Sequence, residues 1–240
     1  MAESPRATDP YPPADGALVT AMMALAGTPD HSPDVDAQLA AIANLTVERV
    51  AVAAYASVTA LRGKAYTTVA VSDDLIRAVD AAQYSDGAGP CLDALDRGSP
   101  VGVPDIGTTV QWPGFHEVAP RLGLAASVSV PLFAGRGNAV AALNVYGHDR
   151  AAMAPLIAAI CAVHGRDQRQ AAELDVGGTE LVAGYVEALG IRATIRLALE
   201  IIRSENRCGP DDAYLSLCAG AAEARTDLGA AAAKLVARDL

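Results

Sequence analysis

Four arginines, Arg192, Arg196, Arg203 and Arg207, follow one another at spacings of 4, 7 and 4. On a helix those offsets put all four on roughly one face. Guanidinium groups in such a row suit phosphate oxygens, which they can grip through two hydrogen bonds at once. Tyr214 lies beyond the next turn and Arg225 one helix further on. A tyrosine ring there would offer a stacking face to a base flipped out of an RNA loop. The competing reading is a solvated face tied by Arg196–Glu200 and Glu200–Arg203 pairs. A second chemical stretch is Gly89-Pro-Cys-Leu-Asp-Ala94. A glycine loop that opens a helix leaves backbone N–H groups able to hold an anion or a carbonyl. Cys91 at that helix start has the setting of a reactive thiolate, with Cys161 as its candidate resolving partner. The competing readings are a structural turn and a buried, inert thiol.

Other chemistry is thin. His31, His116, His148 and His164 are scattered singly, without the i, i+4 spacing of a metal pair, so no metal is expected. No nucleophile elbow or phosphate-binding P-loop occurs. Asp73-Asp74 and Asp211-Asp212 read as helix-start carboxylates. No catalytic residues are assigned, and the chain reads as a non-enzyme. The four cysteines lack C-x-x-C spacing, and no basic start followed by an apolar run marks a secretory signal. No stretch approaches membrane-spanning length, and a cytoplasmic location is expected.

The elements that must position these residues follow from composition and periodicity. The chain of 240 residues is 52% hydrophobic and 19% charged, with 52 alanines and only 10 aromatics. Its core is built from small side chains, which let helices approach closely. The net charge of −10 is poor for a nucleic-acid binder. Residues 176–240 carry 7 basic and 9 acidic side chains, so this segment is the less acidic part without being basic. Residues 1–16, with Pro5, Pro10, Pro12 and Pro13, are expected to be a disordered tail. Helical spacing follows over Leu18–Leu25 and again from Asp34 to about Arg49. A hairpin is expected over Val52–Val71, a helix over Asp73–Ala82 and a short helix from Pro90 to Gly98. A strand at Val101–Val103, a helix from Trp112-Pro113, strands over 126–133 and 139–146, and a helix from Ala151 to about Gln170 complete the first domain. The order predicts an α+β fold with an antiparallel sheet and helices on one face. Gly177-Gly178 then reads as the end of a linker over 171–178.

From Thr179 the pattern is three helices, broken at Gly209-Pro210 and near Arg225-Thr226. The first carries an apolar stripe, including Leu181, Tyr185, Leu189, Ile195, Leu199 and Ile202, broader than three helices need. The excess calls for a further partner, either a second subunit or the preceding domain. The frame Arg192-Ala-Thr-Ile195-x-x-Ala198, Cys208-x-x-Asp-Asp-Ala213-Tyr214-x-x-Leu217 and Leu228-x-x-Ala-Ala232-x-x-Leu-Val236 resembles the ANTAR domain. That resemblance, over about 179–240, implies an all-α module that binds RNA hairpins and prevents transcription termination, as a homodimer. It makes Arg192, Arg196, Arg203, Arg207, Tyr214 and Arg225 the candidate RNA-binding residues. The sequence departs from the family at Leu199-Glu200, Cys218, Ala221 and Asp227, where basic or small polar residues are usual. Those departures remove phosphate contacts, so RNA binding is expected to be weakened, and the alternative is a dimerisation or protein-interaction bundle.

Residues 17–170 resemble the GAF domain on Gln83-Tyr84, Gly87-x-Gly-Pro-Cys-Leu-Asp-Ala94, Trp112-Pro113-x-Phe115, Ser127-x-Ser-Val-Pro131 and Ala142-Leu-Asn144-Val-Tyr146. The resemblance implies a sensor fold with a small-molecule effector whose identity the sequence leaves unknown. It places Tyr84, Gly89, Cys91, Leu92, Trp112 and Phe115 at the ligand pocket.

Overall fold

The computed structural model describes residues 16–164 and 173–239. The expected tail falls almost wholly outside these residues, as does the last part of the helix expected to run to Gln170. Two helices open the described chain, α1 (Ala17–Ala26) and α2 (Val35–Arg49). The strands β1 (Tyr55–Arg62) and β2 (Ala65–Val71) form the first hairpin. Then come α3 (Arg77–Asp86), α4 (Pro90–Arg97), β3 (Val101–Val103) and α5 (Pro113–Val118). The second hairpin, β4 (Ala126–Ala134) and β5 (Asn138–Gly147), leads into α6 (Arg150–Ala162). The chain closes with α7 (Val176–Asn206), α8 (Pro210–Ala224) and α9 (Leu228–Asp239). The five strands lie in the order β2-β1-β5-β4-β3, and every neighbouring pair is antiparallel.

Helices cover both faces of the sheet, not one. All nine residues of β4 are buried. Val128, Val130 and Leu132 face a large apolar cluster with Leu18, Leu39, Ile42, Met153 and Ile160. The opposite face meets α3, α4 and α5 through a cluster that includes Cys91, Leu92, Trp112, Phe115 and Tyr146. Along β5, alternation puts Ala141, Leu143 and Val145 into the first cluster and Ala142 and Tyr146 into the second.

The linker expectation fails at its end. Asp175 caps α7 by accepting the Gly178 N–H at 2.7 Å, so Gly177 and Gly178 form the first turn of the helix. Gly177 lies against the backbone carbonyl of Arg49, where a Cβ would have no room. The glycine permits a close helix crossing here. Gly177→Ala must push α7 off the end of α2, and a loss of about 1–3 kcal/mol is expected in a denaturant melt.

At 31 residues, α7 is about 46 Å long and belongs to two cores. Leu181, Val182 and Tyr185 join the cluster behind the sheet. Ile195, Ala198, Leu199 and Ile202 join a separate cluster with Tyr214, Leu217, Leu228 and Ala232. The surplus width of the apolar stripe is thereby used in its N-terminal half by the preceding domain. Buried Glu180 accepts Arg49 Nε at 2.8 Å and the Leu18 N–H at 3.4 Å, tying α7 to α1 and α2. The hydrogen bond from Arg49 holds the Glu180 carboxyl below the usual range. As expected, Pro210 opens α8 with Asp211 and Asp212 in its first turn.

Candidate functional site

Beneath α3 the sheet carries a row of polar side chains where a core would ordinarily be apolar. Ser57 on β1 and Ser129 on β4 both register with Asn144 on β5, the strand between them. Thr59 and Ser127 extend the row, and all five are buried. Asn144 Nδ2 donates to Ser57 Oγ and to Thr59 Oγ1, each at 3.1 Å. The residues of this row sit at i and i+2 on their strands, so one face of the sheet is polar where the other is valine and alanine.

Asp80 on α3 meets that row and is fully buried. Its carboxylate accepts hydrogen bonds from Ser57 Oγ at 3.0 Å, Thr68 Oγ1 at 2.9 Å and Tyr146 Oη at 3.1 Å. Burial pushes its carboxyl up to about 6, against those hydrogen bonds, which pull it down. Tyr84, one turn along α3, places its hydroxyl 2.9 Å from Thr59 Oγ1 and 2.8 Å from Thr68 Oγ1. Buried Gln83 directs its carbonyl to the Cys91 N–H at 3.1 Å. The helix-start N–H proposed to hold a carbonyl does so, and the carbonyl is the chain's own.

Three buried polar atoms in this centre have no hydrogen-bond partner among the described residues: Gln83 Nε2, Ser127 Oγ and Asn144 Oδ1. Each orphan costs about 1–3 kcal/mol if left dry. A donor amide, a hydroxyl and an acceptor carbonyl, beside a carboxyl that titrates near neutrality, suit a small polar molecule with both donors and acceptors. The residues fit such a ligand better than a metal ion: among the described residues no three His, Cys, Asp or Glu side chains converge.

The six pocket residues expected from the sequence are gathered at one place. Cys91, Leu92, Trp112 and Phe115 pack in one buried cluster with Tyr84 beside it, and Trp112 meets Phe115 edge-on at 6.4 Å. Gly89 caps the start of α4. They form the apolar wall of the centre. Its polar half, Asp80 with Ser57, Thr59, Ser127 and Asn144, was not among the expected site residues. The signal was present, since serines and threonines at i, i+2 in an otherwise apolar strand mark a polar face.

Cys91 does not have the setting of a redox thiol. Burial pushes its thiol well up from its ordinary value. Cys161, the proposed resolving partner, packs against the cluster on the other face of the sheet. The helix-start effect that would favour a thiolate is outweighed by desolvation.

The arginine row is divided between different partners. Arg192 Nε donates to the Gly137 carbonyl at 2.8 Å, and its guanidinium lies 4.3 Å from the centre of the Phe133 ring. Arg203 pairs with Glu200 at 2.8 Å. Arg207 and Arg225 adopt left-handed backbone at the ends of α7 and α8. Arg196 and Arg203 line one open cleft of about 540 Å³, together with Arg136, Leu199 and Glu200. Tyr214 is only 2% exposed. Its hydroxyl donates to Asp30 Oδ1 at 2.9 Å, and Arg136 covers its ring at 4.5 Å. In this arrangement the ring gives no stacking face to a base.

The fold and its buried centre define an α+β domain with a polar site under one face of an antiparallel sheet. The family model for the GAF domain matches residues 32–159, more than half of the 240 residues, and the chain belongs to the GAF domain family. No curated protein matches the chain. A solved structure, the type II free methionine-R-sulfoxide reductase from Thermoplasma acidophilum, is similar over 63% of this chain and 91% of its own, at 14% identity and a TM-score of 0.40. Among the described residues no helix is long and apolar enough to cross a membrane.

Proposed function

We propose that the protein is a ligand-responsive regulator. Its GAF domain takes a small polar molecule at the Asp80 centre, and α7 passes the bound state to the three-helix segment. The observation that carries this reading is the shared helix: Leu181 and Tyr185 belong to the sheet's core while Ile195 and Ile202 belong to the helical one. A ligand that repacks the domain shifts the balance between arrangements of α7, by as much as it prefers one over the other. The output is RNA binding: the ANTAR-like frame takes hairpins in a nascent transcript and prevents termination, as a homodimer. Arg196 and Arg203, with Arg225 on the next helix, supply the phosphate contacts.

A mobility-shift assay on paired RNA hairpins tests the output. Binding is expected at 50 mM salt and should weaken about twenty- to fortyfold by 200 mM, the slope of roughly three phosphate contacts. No shift at low salt from folded protein would refute the RNA reading. A second reading is favoured by the burial of Tyr214 and the capture of Arg192 by the GAF domain. In it the three helices serve dimerisation or protein interaction, and restoring Lys at Leu199 and Gly at Glu200 gains no RNA affinity.

A further inference from the structure

We propose that Asp30 and Arg136, on two loops of the GAF domain, form a latch that holds α8 by Tyr214 and Asp211 and keeps the RNA-facing side of the helical segment turned onto the sensor. Asp30 lies between α1 and α2, and Arg136 lies in the turn between β4 and β5. The two loops are joined, because the Gly135 N–H donates to the Thr28 carbonyl at 2.8 Å. Tyr214 is gripped from three directions. Its hydroxyl donates to Asp30 Oδ1, it accepts the Asp30 N–H at 3.1 Å, and the Arg136 guanidinium lies over its ring. Arg136 also pairs with Asp211 in the first turn of α8. At the start of α9 the Leu228 N–H donates to the Gly27 carbonyl at 2.9 Å. Arg192 and Arg196 reach the same turn, at Gly137 and Asn138.

These contacts differ in kind from those that hold the first half of α7. There the contact is buried and apolar, through Leu181, Val182 and Tyr185. The latch is polar, with Arg136 at 30% and Asp211 at 79% side-chain exposure around the buried Tyr214 ring. Exposed ion pairs contribute little and weaken with salt, so such a joint opens without unfolding the domain. Between the two regions Ala188 is buried, while the outer face of α7 is open. Val186 is exposed, and Gly190 has open space around it. A mid-helix glycine lowers the resistance to bending there. The strands that carry Ser129 and Asn144 run on into the turn that carries Arg136, so the polar centre and the latch share one hairpin.

Hydrogen exchange on the full-length chain reads the latch directly through the Leu228 amide. In Asp30→Ala/Arg136→Ala, altered only on the sensor side, that amide is expected to exchange at least tenfold faster. The α7 core amides near Leu181 should keep the wild-type rate. Tyr214→Phe, which keeps the ring and removes only the hydroxyl, should give a smaller change in the same amide. An unchanged Leu228 rate in both variants overturns the latch, and so does an increase shared equally by the core amides in both. The RNA arm rests on the proposed output. If that output is correct, the double variant should bind hairpin RNA about tenfold more tightly than wild type. Faster Leu228 exchange without gained RNA affinity, in a protein that binds hairpin RNA, overturns the masking of the RNA-facing side; no RNA binding by either protein removes the RNA reading and leaves the contact standing.

Discussion

Tyr185→Ala is expected to cost about 3–5 kcal/mol, the range for removing a buried aromatic side chain. The residue is fully buried, stacks on Phe133 at 6.3 Å and places its hydroxyl 2.6 Å from His164 Nε2. The size of the effect matters less than where it falls. If α7 belonged only to the C-terminal helices, the sheet core would not register the change. Because Tyr185 completes the core behind the sheet, the GAF domain itself should lose its melting temperature, by roughly 6 °C or more for a chain of this size. Tyr185→Phe keeps the ring and gives up one hydrogen bond, so it should cost only about 1 kcal/mol. Thermal melts of the two variants separate packing from hydrogen bonding at this position.

Asp80 should give a large pH effect on stability. Its carboxyl stands near 6 in the folded protein against an ordinary value of 3.8, because burial disfavours the charge. The folded state therefore holds the proton more tightly than the unfolded chain. Between those two values the folded state binds more protons, and stability falls as pH rises. The total loss across the window is about 3 kcal/mol. Glu180, held low by Arg49, acts in the opposite sense, but only below its unfolded value near 4.5. His164, whose imidazole burial pushes down from its ordinary value, also acts against Asp80 below 6.5, so the difference between wild type and Asp80→Asn isolates the carboxyl. Relative to wild type, Asp80→Asn should gain stability from pH 4.5 to 6 and match or exceed it at pH 7. Asp80→Leu should be destabilised at every pH, since Ser57, Thr68 and Tyr146 lose their acceptor, at about 1–3 kcal/mol for each stranded hydroxyl. Denaturant melts at pH 4.5, 6 and 7 decide this. A stability difference between Asp80→Asn and wild type that fails to grow from pH 4.5 to 6 would contradict the assignment. A carboxylate kept in the core at such a cost is ordinary for a site that serves binding over stability.

Much of the fold is legible along the chain because local signals and tertiary needs agree. Gly209-Pro210 breaks a helix and opens another, Asp149 caps α6, and small β-branched runs bounded by Gly63 and by Gly135 and Gly137 become hairpins. The expected start of α7 misses because Gly177-Gly178 looks like a break when read alone. The glycines serve instead for close approach to Arg49, a reason that exists only after α2 and α7 meet. The helices on the second face are missed for a similar reason, since a strand buried on both sides differs from a half-exposed one only by its neighbours. The apolar wall of the site is legible in Cys91, Trp112 and Phe115. Asp80 is not, because a lone aspartate in an amphipathic helix looks like any solvated carboxylate. Only the pairing of Ser57 and Ser129 with Asn144 shows that it faces a polar row. Tyr214 shows the converse. Its type and position suit stacking on RNA, and its place against Asp30 and Arg136 depends on loops 184 and 78 residues away.

The central claim is that the GAF domain takes a small polar ligand at the Asp80 centre. Thermal melts of wild type and Asp80→Leu against a panel of small polar metabolites test it directly. A ligand at about a hundredfold its dissociation constant adds roughly 2.7 kcal/mol to the form that binds it. The account predicts at least one compound that raises the wild-type melting temperature by about 5 °C or more and leaves Asp80→Leu unmoved. A compound that stabilises both proteins equally, or a panel that moves neither, would contradict it.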